Sequence, residues 1–164
     1  MFSKTSSIIF NIFFDANAES FSAIVSELAS EKILNIIDEV LDNKIKFQEQ
    51  NHNEATYAFK IKKEEGQINW NEAAESIIGK INGLYPNPGA FFIYNGERFK
   101  ILKASLAHGS GEIGEVLSNY LEVSCGNKKS IKILDIQRQG KRPQNINEFM
   151  LGSQIKKGSN LNNA

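Results

Sequence analysis

The chain has 164 residues, with 19 Lys/Arg against 19 Asp/Glu and a formal net charge of zero at pH 7. That length holds one ordinary core, or one small domain plus an appendage, and the apolar and charged fractions are those of a soluble globular protein. The single cysteine, Cys125, excludes a disulfide framework and a cysteine-based zinc site within one chain, which makes the cytoplasm the default compartment.

Charge is not evenly spread. Residues 1–54 carry four lysines and nine acids, a balance of −5, and residues 55–164 carry fifteen Lys/Arg and ten acids, a balance of +5. A basic second part is a pointer to an anionic partner, and equally compatible with a solvated basic face.

In chain order, Lys4, the apolar run Ile8–Phe14 and Ala16-Asn17-Ala18 imitate a signal peptide. The run is short, Asn11 interrupts it and Asp15 precedes the supposed cleavage site, so a buried strand is the better reading. No stretch is long enough to span a bilayer. From Phe21 to Leu41 apolar residues recur at steps of three and four, which predicts a helix capped by Asn17 or Ser20 and ending near Asp42-Asn43. Such a face needs something to pack on. Residues 43–54 are polar and read as a linker or loose loop. Ala55–Ile61 reads as extended, and Lys62–Gly66 as a turn. Asn71 is placed to cap a second helix, whose stripe is Ala74, Ile77, Ile78, Ile81 and Leu84. Pro86 and Pro88 forbid its continuation.

From Gly89 the pattern changes to strands. Phe91–Tyr94 and Phe99–Leu106 flank Asn95-Gly96-Glu97, a strong hairpin signal because both turn residues tolerate positive φ. Gly114–Leu117, Tyr120–Ser124 and Ile131–Ile136 are three more candidates, and their spacing points to a small barrel or sandwich. Asn145 or Asn147 can start a short helix through Leu151. The end of the chain reads as frayed.

For chemistry, the sequence offers no Gly-rich phosphate loop, no Ser/His/Asp arrangement in a recognisable context and no HExxH. His52 and His108 sit in polar surroundings without partners at ligand spacing and read as surface residues. Glu64-Glu65 reads as surface charge, since adjacent side chains point apart. The tyrosines and phenylalanines read as core. The positive candidates are basic: Lys60, Lys62 and Lys63, then Lys100, Lys103, Lys128, Lys129, Lys132, Lys141 and Arg142. Lys100 and Lys132 alternate with apolar neighbours and can share a wet face. Exposed lysines on a small barrel suit a polynucleotide held by its phosphates.

The run ATYAFKIKKEEGQINW, then Ala74, Ile77, Ile81 and Pro86-Asn87-Pro88-Gly89-Ala90, resembles the methionyl-tRNA formyltransferase family. The resemblance continues through Asn95–Ile101, Lys103-Ala104, Gly114–Leu117, Cys125-Gly126, Leu134, Gln137 and Gly140-Lys141-Arg142, in the family's order. Sugar and folate formyltransferases share the isoleucine-x-tryptophan and Pro-x-Pro-Gly features; Ala55–Ala58 with the following lysines favours the tRNA enzyme.

The resemblance implies an α+β chain. Residues 1–43 would be the closing strand and helix of an α/β formyltransferase domain, 44–66 a linker, 67–155 a small open β-barrel (OB-like) with one long helix, and 156–164 a tail. The family's donor is 10-formyltetrahydrofolate, held with an Asn, His and Asp set in the N-terminal domain. The asparagine and histidine motif has no counterpart here, and an ungapped match puts Lys4 at the aspartate. The expectation is therefore that this chain binds no cofactor and has no catalytic residue of its own. It would be the tRNA-binding C-terminal portion of a truncated or split enzyme, contacting initiator tRNA through Lys60, Lys62, Lys63, Lys103, Lys141 and Arg142. A second reading makes it an interaction fragment that completes a separately encoded N-terminal half. A third makes it a gene remnant.

Overall fold

The computed structural model describes residues 16–162. The expected strand Ile8–Phe14, and Lys4, lie outside that range. The chain falls into two compact units, one ending at Ile61 and the other beginning at Lys62.

The first unit is dominated by α1 (Ala18–Leu41). Asn17 and Ser20 cap it reciprocally: the Ser20 amide donates to Asn17 Oδ1 at 2.9 Å and the Asn17 amide to Ser20 Oγ at 3.1 Å. Both candidate cap residues thus take part. Asp42 is the C-cap, and Asn43 follows in the left-handed region at φ 55°. Ser22, Ser26 and Ser30 donate their hydroxyls to carbonyls four residues back, which marks a polar side. No residue of α1 is buried, and Phe21, Leu28, Ile33 and Ile37 are all about half exposed or more. A short 3-10 turn, His52–Glu54, is capped by Asn51. The segment from Ala55 to Ile61 joins no helix or strand.

The second unit is a mixed α+β arrangement. A 3-10 turn at Lys63–Gly66 opens it, and the Lys62 amide donates to Glu65 Oε1 at 2.7 Å. Gly66 is buried, and a Cβ there would lie 2.5 Å from the Gly89 carbonyl oxygen, so this turn is pressed against the chain entering the sheet. α2 (Ala74–Leu84) buries Ala74, Ile77, Ile81 and Leu84, with Ile78 half-buried, and stops before Pro86.

β1 (Ala90–Tyr94) and β2 (Glu97–Ala107) pair antiparallel through a two-residue turn with Asn95 at φ 51° and Gly96 at φ 76°. β3 (Glu122–Ser124) and β4 (Ser130–Arg138) complete the order β1-β2-β4-β3, with β5 (Gln144–Asn145) also on β4. The two path ends, β1 and β3, do not pair with each other. The sheet is open, and among the described residues no pairing joins its ends into the OB-like barrel that the resemblance implied. Between Ile101 and Ala104 the β2–β4 register slips at Lys103, which bends the long strands. α3 (Ile146–Gly152) follows directly, capped by Asn145, whose Oδ1 accepts from the Glu148 amide at 3.1 Å.

The core lies between this sheet and its helices. Trp70, Phe92, Phe99 and Phe149 make a continuous aromatic chain with ring centroids 6.0, 5.3 and 5.8 Å apart. Ile101, Val116, Leu121, Ile131, Ile133 and Ile136 fill the rest.

Four expectations change. Asn71 does not cap α2. Its amide and side chain turn back to Asn69 Oδ1, and the Ala74 amide donates instead to Asn127 Oδ1, 53 residues away, at 3.1 Å. Gly114–Leu117 forms no strand; it makes single bridges, Glu115 to Asn160 and Val116 to Val123. The end of the chain is docked as far as it is described: Leu161 is buried, and its amide donates to the Gly114 carbonyl at 2.8 Å. Finally, Phe47, Tyr57, Phe59 and Tyr120 are exposed and are not core.

Candidate nucleic-acid interface

The basic residues of the second unit gather where β2 and β4 run side by side near the hairpin. The register places Arg98 opposite Ile93, Lys100 opposite Phe91 and Gln137, and Phe99 opposite Arg138. Arg98 and Lys100 are two apart on one strand, so they share a face. The Arg98 guanidinium lies 3.7 Å from the centroid of the buried Phe91 ring, a stacked cation–π contact. Its Nε is buried and makes no hydrogen bond among the described residues.

Lys100 is held in a different way. Its stem crosses Gly89, where a Cβ would meet Lys100 Cδ at 2.6 Å, and its ammonium donates to the Pro86 carbonyl at 3.3 Å. The Pro-x-Pro-Gly turn therefore cradles this lysine. Burial, and secondarily the neighbouring Arg98 charge, hold its pKa below the ordinary lysine value. Arg98, Lys100, Gln137, Arg138 and Gly140 border a cavity of about 180 Å³.

Beyond it, the turn after β4 carries the next group. The Lys141 amide donates to the Arg138 carbonyl at 3.0 Å, and the Lys141 carbonyl accepts from Gln137 Nε2 at 2.8 Å. Lys141 and Arg142 are exposed and, with Arg138, Gln144, Glu148 and Phe149, line a second cavity of about 310 Å³. Arg138 borders both cavities, pairs with Glu97 at 3.3 Å and sits 5.5 Å from the Phe99 ring centroid. The result is five cations on the rims of two adjoining hollows, of which only Arg138 has a carboxylate partner among the described residues. Such a surface can hold successive phosphates.

The six residues singled out from sequence are placed as follows. Lys141 and Arg142 lie together on this surface. Lys103 is exposed at the β2 register slip, opposite Asp135, and lines neither hollow. Lys62 and Lys63 are exposed at the turn that opens the second unit, while Lys60 is exposed in the first unit. Lys129 forms an ion pair with Glu75, and Lys132 lies 5.7 Å from the Tyr120 ring, so both have partners within the unit. Sequence reasoning missed Arg98 and Arg138 as site residues. The signal for Arg98 was available: it follows the Asn-Gly turn and shares strand parity with Lys100. Arg138 needed the pairing of β4 on β2, which spacing alone does not supply.

Among the described residues no three His, Cys, Asp or Glu side chains are grouped to hold a metal. Among the described residues no helix is long and apolar enough to cross a membrane. His52 and His108 are both exposed.

Comparison with known proteins identifies the family. The family described as "Formyl transferase, C-terminal domain" matches residues 60–154. A methionyl-tRNA formyltransferase of Pelagibacter ubique (strain HTCC1062) is 65% identical over 147 residues, covering 90% of this chain and 47% of that protein. One of Rickettsia massiliae (strain Mtu5) is 37% identical over 138 residues, covering 83% and 45%. The chain thus spans about half the length of the curated relatives it matches. Among solved structures, HypX from Aquifex aeolicus aligns with a TM-score of 0.65 at 18% identity, covering 87% of this chain and 27% of that one. At that identity the likeness concerns the fold alone.

Proposed function

We propose a function from one established premise: this chain belongs to the formyl transferase C-terminal domain family. Its second unit would serve methionyl-tRNA formyltransferase by gripping the phosphate backbone of initiator tRNA, the substrate whose amino group receives the formyl group. The observation that carries this reading is the shared surface of Arg98, Lys100, Arg138, Lys141 and Arg142 around two hollows. Lys62 and Lys63, and Lys60 before them, add charge at the entry to the unit. Lys103 is assigned a more peripheral phosphate contact. The names of the curated relatives favour tRNA over the sugar and folate substrates of other formyltransferases.

Formyl transfer itself is assigned to a catalytic domain that holds 10-formyltetrahydrofolate. The cation surface supplies neither a general base nor donors for a tetrahedral oxyanion. Its contribution would be to substrate affinity and placement, in the cytoplasm where initiator tRNA is formylated.

The test is binding of the whole chain to initiator tRNA. Affinity should fall by orders of magnitude between about 50 and 200 mM salt if several phosphates are held. Absence of binding even at low salt would remove this reading.

A second reading rests on α1. Its aliphatic face is uncovered among the described residues, as expected of a helix that completes a larger α/β domain. The surface that covers it would be the remainder of a formyltransferase catalytic domain. Stable co-purification with such a domain, lost on replacing Ile33 and Ile37 by Asp, tests it.

A further inference from the structure

Between Ala55 and Lys62 the chain carries an aromatic pair with no role in the fold. Tyr57 is 82% exposed and Phe59 is 90% exposed. Among the described residues neither ring stacks on another, and neither residue belongs to a helix or strand. Ala55 and Lys62 both have extended backbone angles. Tyr57 and Phe59 are two residues apart, a spacing that puts side chains on one side wherever the backbone is extended. Exposing two large rings in water is unfavourable unless a partner covers them.

The surroundings indicate what the partner is. From residue 55 to residue 63 the sequence is ATYAFKIKK, with three lysines and no acid. Lys60 is exposed beside the rings, and Lys62 and Lys63 follow in sequence. A protein partner for an apolar stripe needs no such run of unpaired positive charge. The uncovered face of α1 provides the contrast: it exposes aliphatic residues, on a helix with acids at 27, 31, 38 and 39. Two exposed rings followed directly by lysines along the chain are the makings of a single-strand site, where aromatic faces take bases and ammonium groups take phosphates. A paired helix would offer the rings no free base faces.

We propose that Tyr57 and Phe59 form a stacking platform for unpaired bases at a single-stranded end of the RNA. This rests on the RNA-binding reading above and adds to it the part of the RNA that this segment takes.

The test uses the whole chain and two RNA probes: a stable hairpin with a blunt stem, and the same hairpin with a single-stranded oligo(A) extension at its 3′ end. The wild type should bind the extended hairpin more tightly. Tyr57→Ala/Phe59→Ala should weaken binding of the extended probe by about tenfold or more. The same change should leave the blunt probe within about twofold, because phosphate contacts are untouched. Tyr57→Phe/Phe59→Tyr should restore binding, and Tyr57→Leu/Phe59→Leu should not, since leucine supplies apolar area without a π face. Both rings are exposed, so these variants keep the fold. Equal binding of the two probes by the wild type overturns the proposal. So does full retention of extended-probe binding by the leucine variant, which would mark the pair as a protein contact. Failure of the wild type to bind either probe would instead overturn the RNA-binding reading on which this one rests.

Discussion

Arg98 and Lys100 show how one strand prepares a charged surface by two different means. Arg98 is flattened on Phe91, whereas Lys100 is threaded over Gly89 and tied to Pro86. Gly89 sits at φ +81°, where a side chain would also collide with the Lys100 stem. Gly89→Ala should therefore displace Lys100 and weaken tRNA binding about as much as Lys100→Ala. Lys100 carries its own pH signature. Burial lowers its pKa in the folded protein, so over the window between the folded and unfolded values the unfolded chain binds more protons. The contribution of Lys100 to stability thus rises with pH in that window, and Lys100→Gln should flatten the alkaline end of the stability profile.

The same sign applies at acid pH to Glu75, whose carboxyl is held below its ordinary range chiefly by the hydrogen bond from Lys129. That contribution is present above the ordinary carboxylate pKa and is lost as pH falls through the folded value. Thermal unfolding of Glu75→Gln against the wild type should differ at neutral pH and converge in acid. Cys125 is a further readout at this scale. Burial pushes its thiol up to about 11, so it stays protonated and shielded. Iodoacetamide at pH 8 should label it only after denaturant is added; ready labelling of the native chain would contradict the packing.

At the scale of elements, local signals were legible where local chemistry decides. Asn95-Gly96 fixes the hairpin, the stripe from Ala74 to Leu84 fixes α2, and Asn17 with Ser20 fixes the start of α1. What could not be read is what arrives from far along the chain. The start of α2 is the plainest case. Its cap comes from Asn127, in a turn whose Gly126 amide donates to the Glu72 carbonyl at 3.0 Å. Asn71 was the reasonable choice by position and lost to a residue that no window around the helix contains. The docking of Leu161 and the failure of Gly114–Leu117 to extend a strand have the same origin, since each is the other's partner. Asn127→Ala should cost about 1 kcal/mol of stability, the usual value of a lost cap. Gly126→Ala should cost more, roughly 2–4 kcal/mol, because its Cβ would fall 1.9 Å from the Asn71 carbonyl oxygen. Chemical denaturation of the two variants checks both the sizes and their order.

For the whole molecule, the sequence conveyed the division of labour better than the architecture. The charge split between residues 1–54 and 55–164 separates an acidic first part from a basic second one, and the structure places Arg98, Lys100, Arg138, Lys141 and Arg142 around two adjoining hollows. Strand spacing pointed to a small barrel or sandwich because it counts strands and says nothing of which strand pairs with which. The structure leaves β1 and β3 as separate edges. Which aromatics are core was also beyond periodicity: Phe91 and Phe92 are covered, while Phe59, in an equally apolar-looking stretch, is not.

The claim on which the functional account turns is that Lys141 and Arg142 hold RNA phosphates. The decisive measurement is the dependence of tRNA affinity on salt for the wild type, for Lys141→Ala/Arg142→Ala, and for Lys156→Ala/Lys157→Ala. The last pair is a control, equally exposed but lining neither hollow. Each phosphate contact contributes about 0.7–0.9 to the slope of log affinity against log salt, so the first variant should lose about 1.5 from that slope. The control should keep the wild-type slope. Identical slopes for all three proteins would contradict the account.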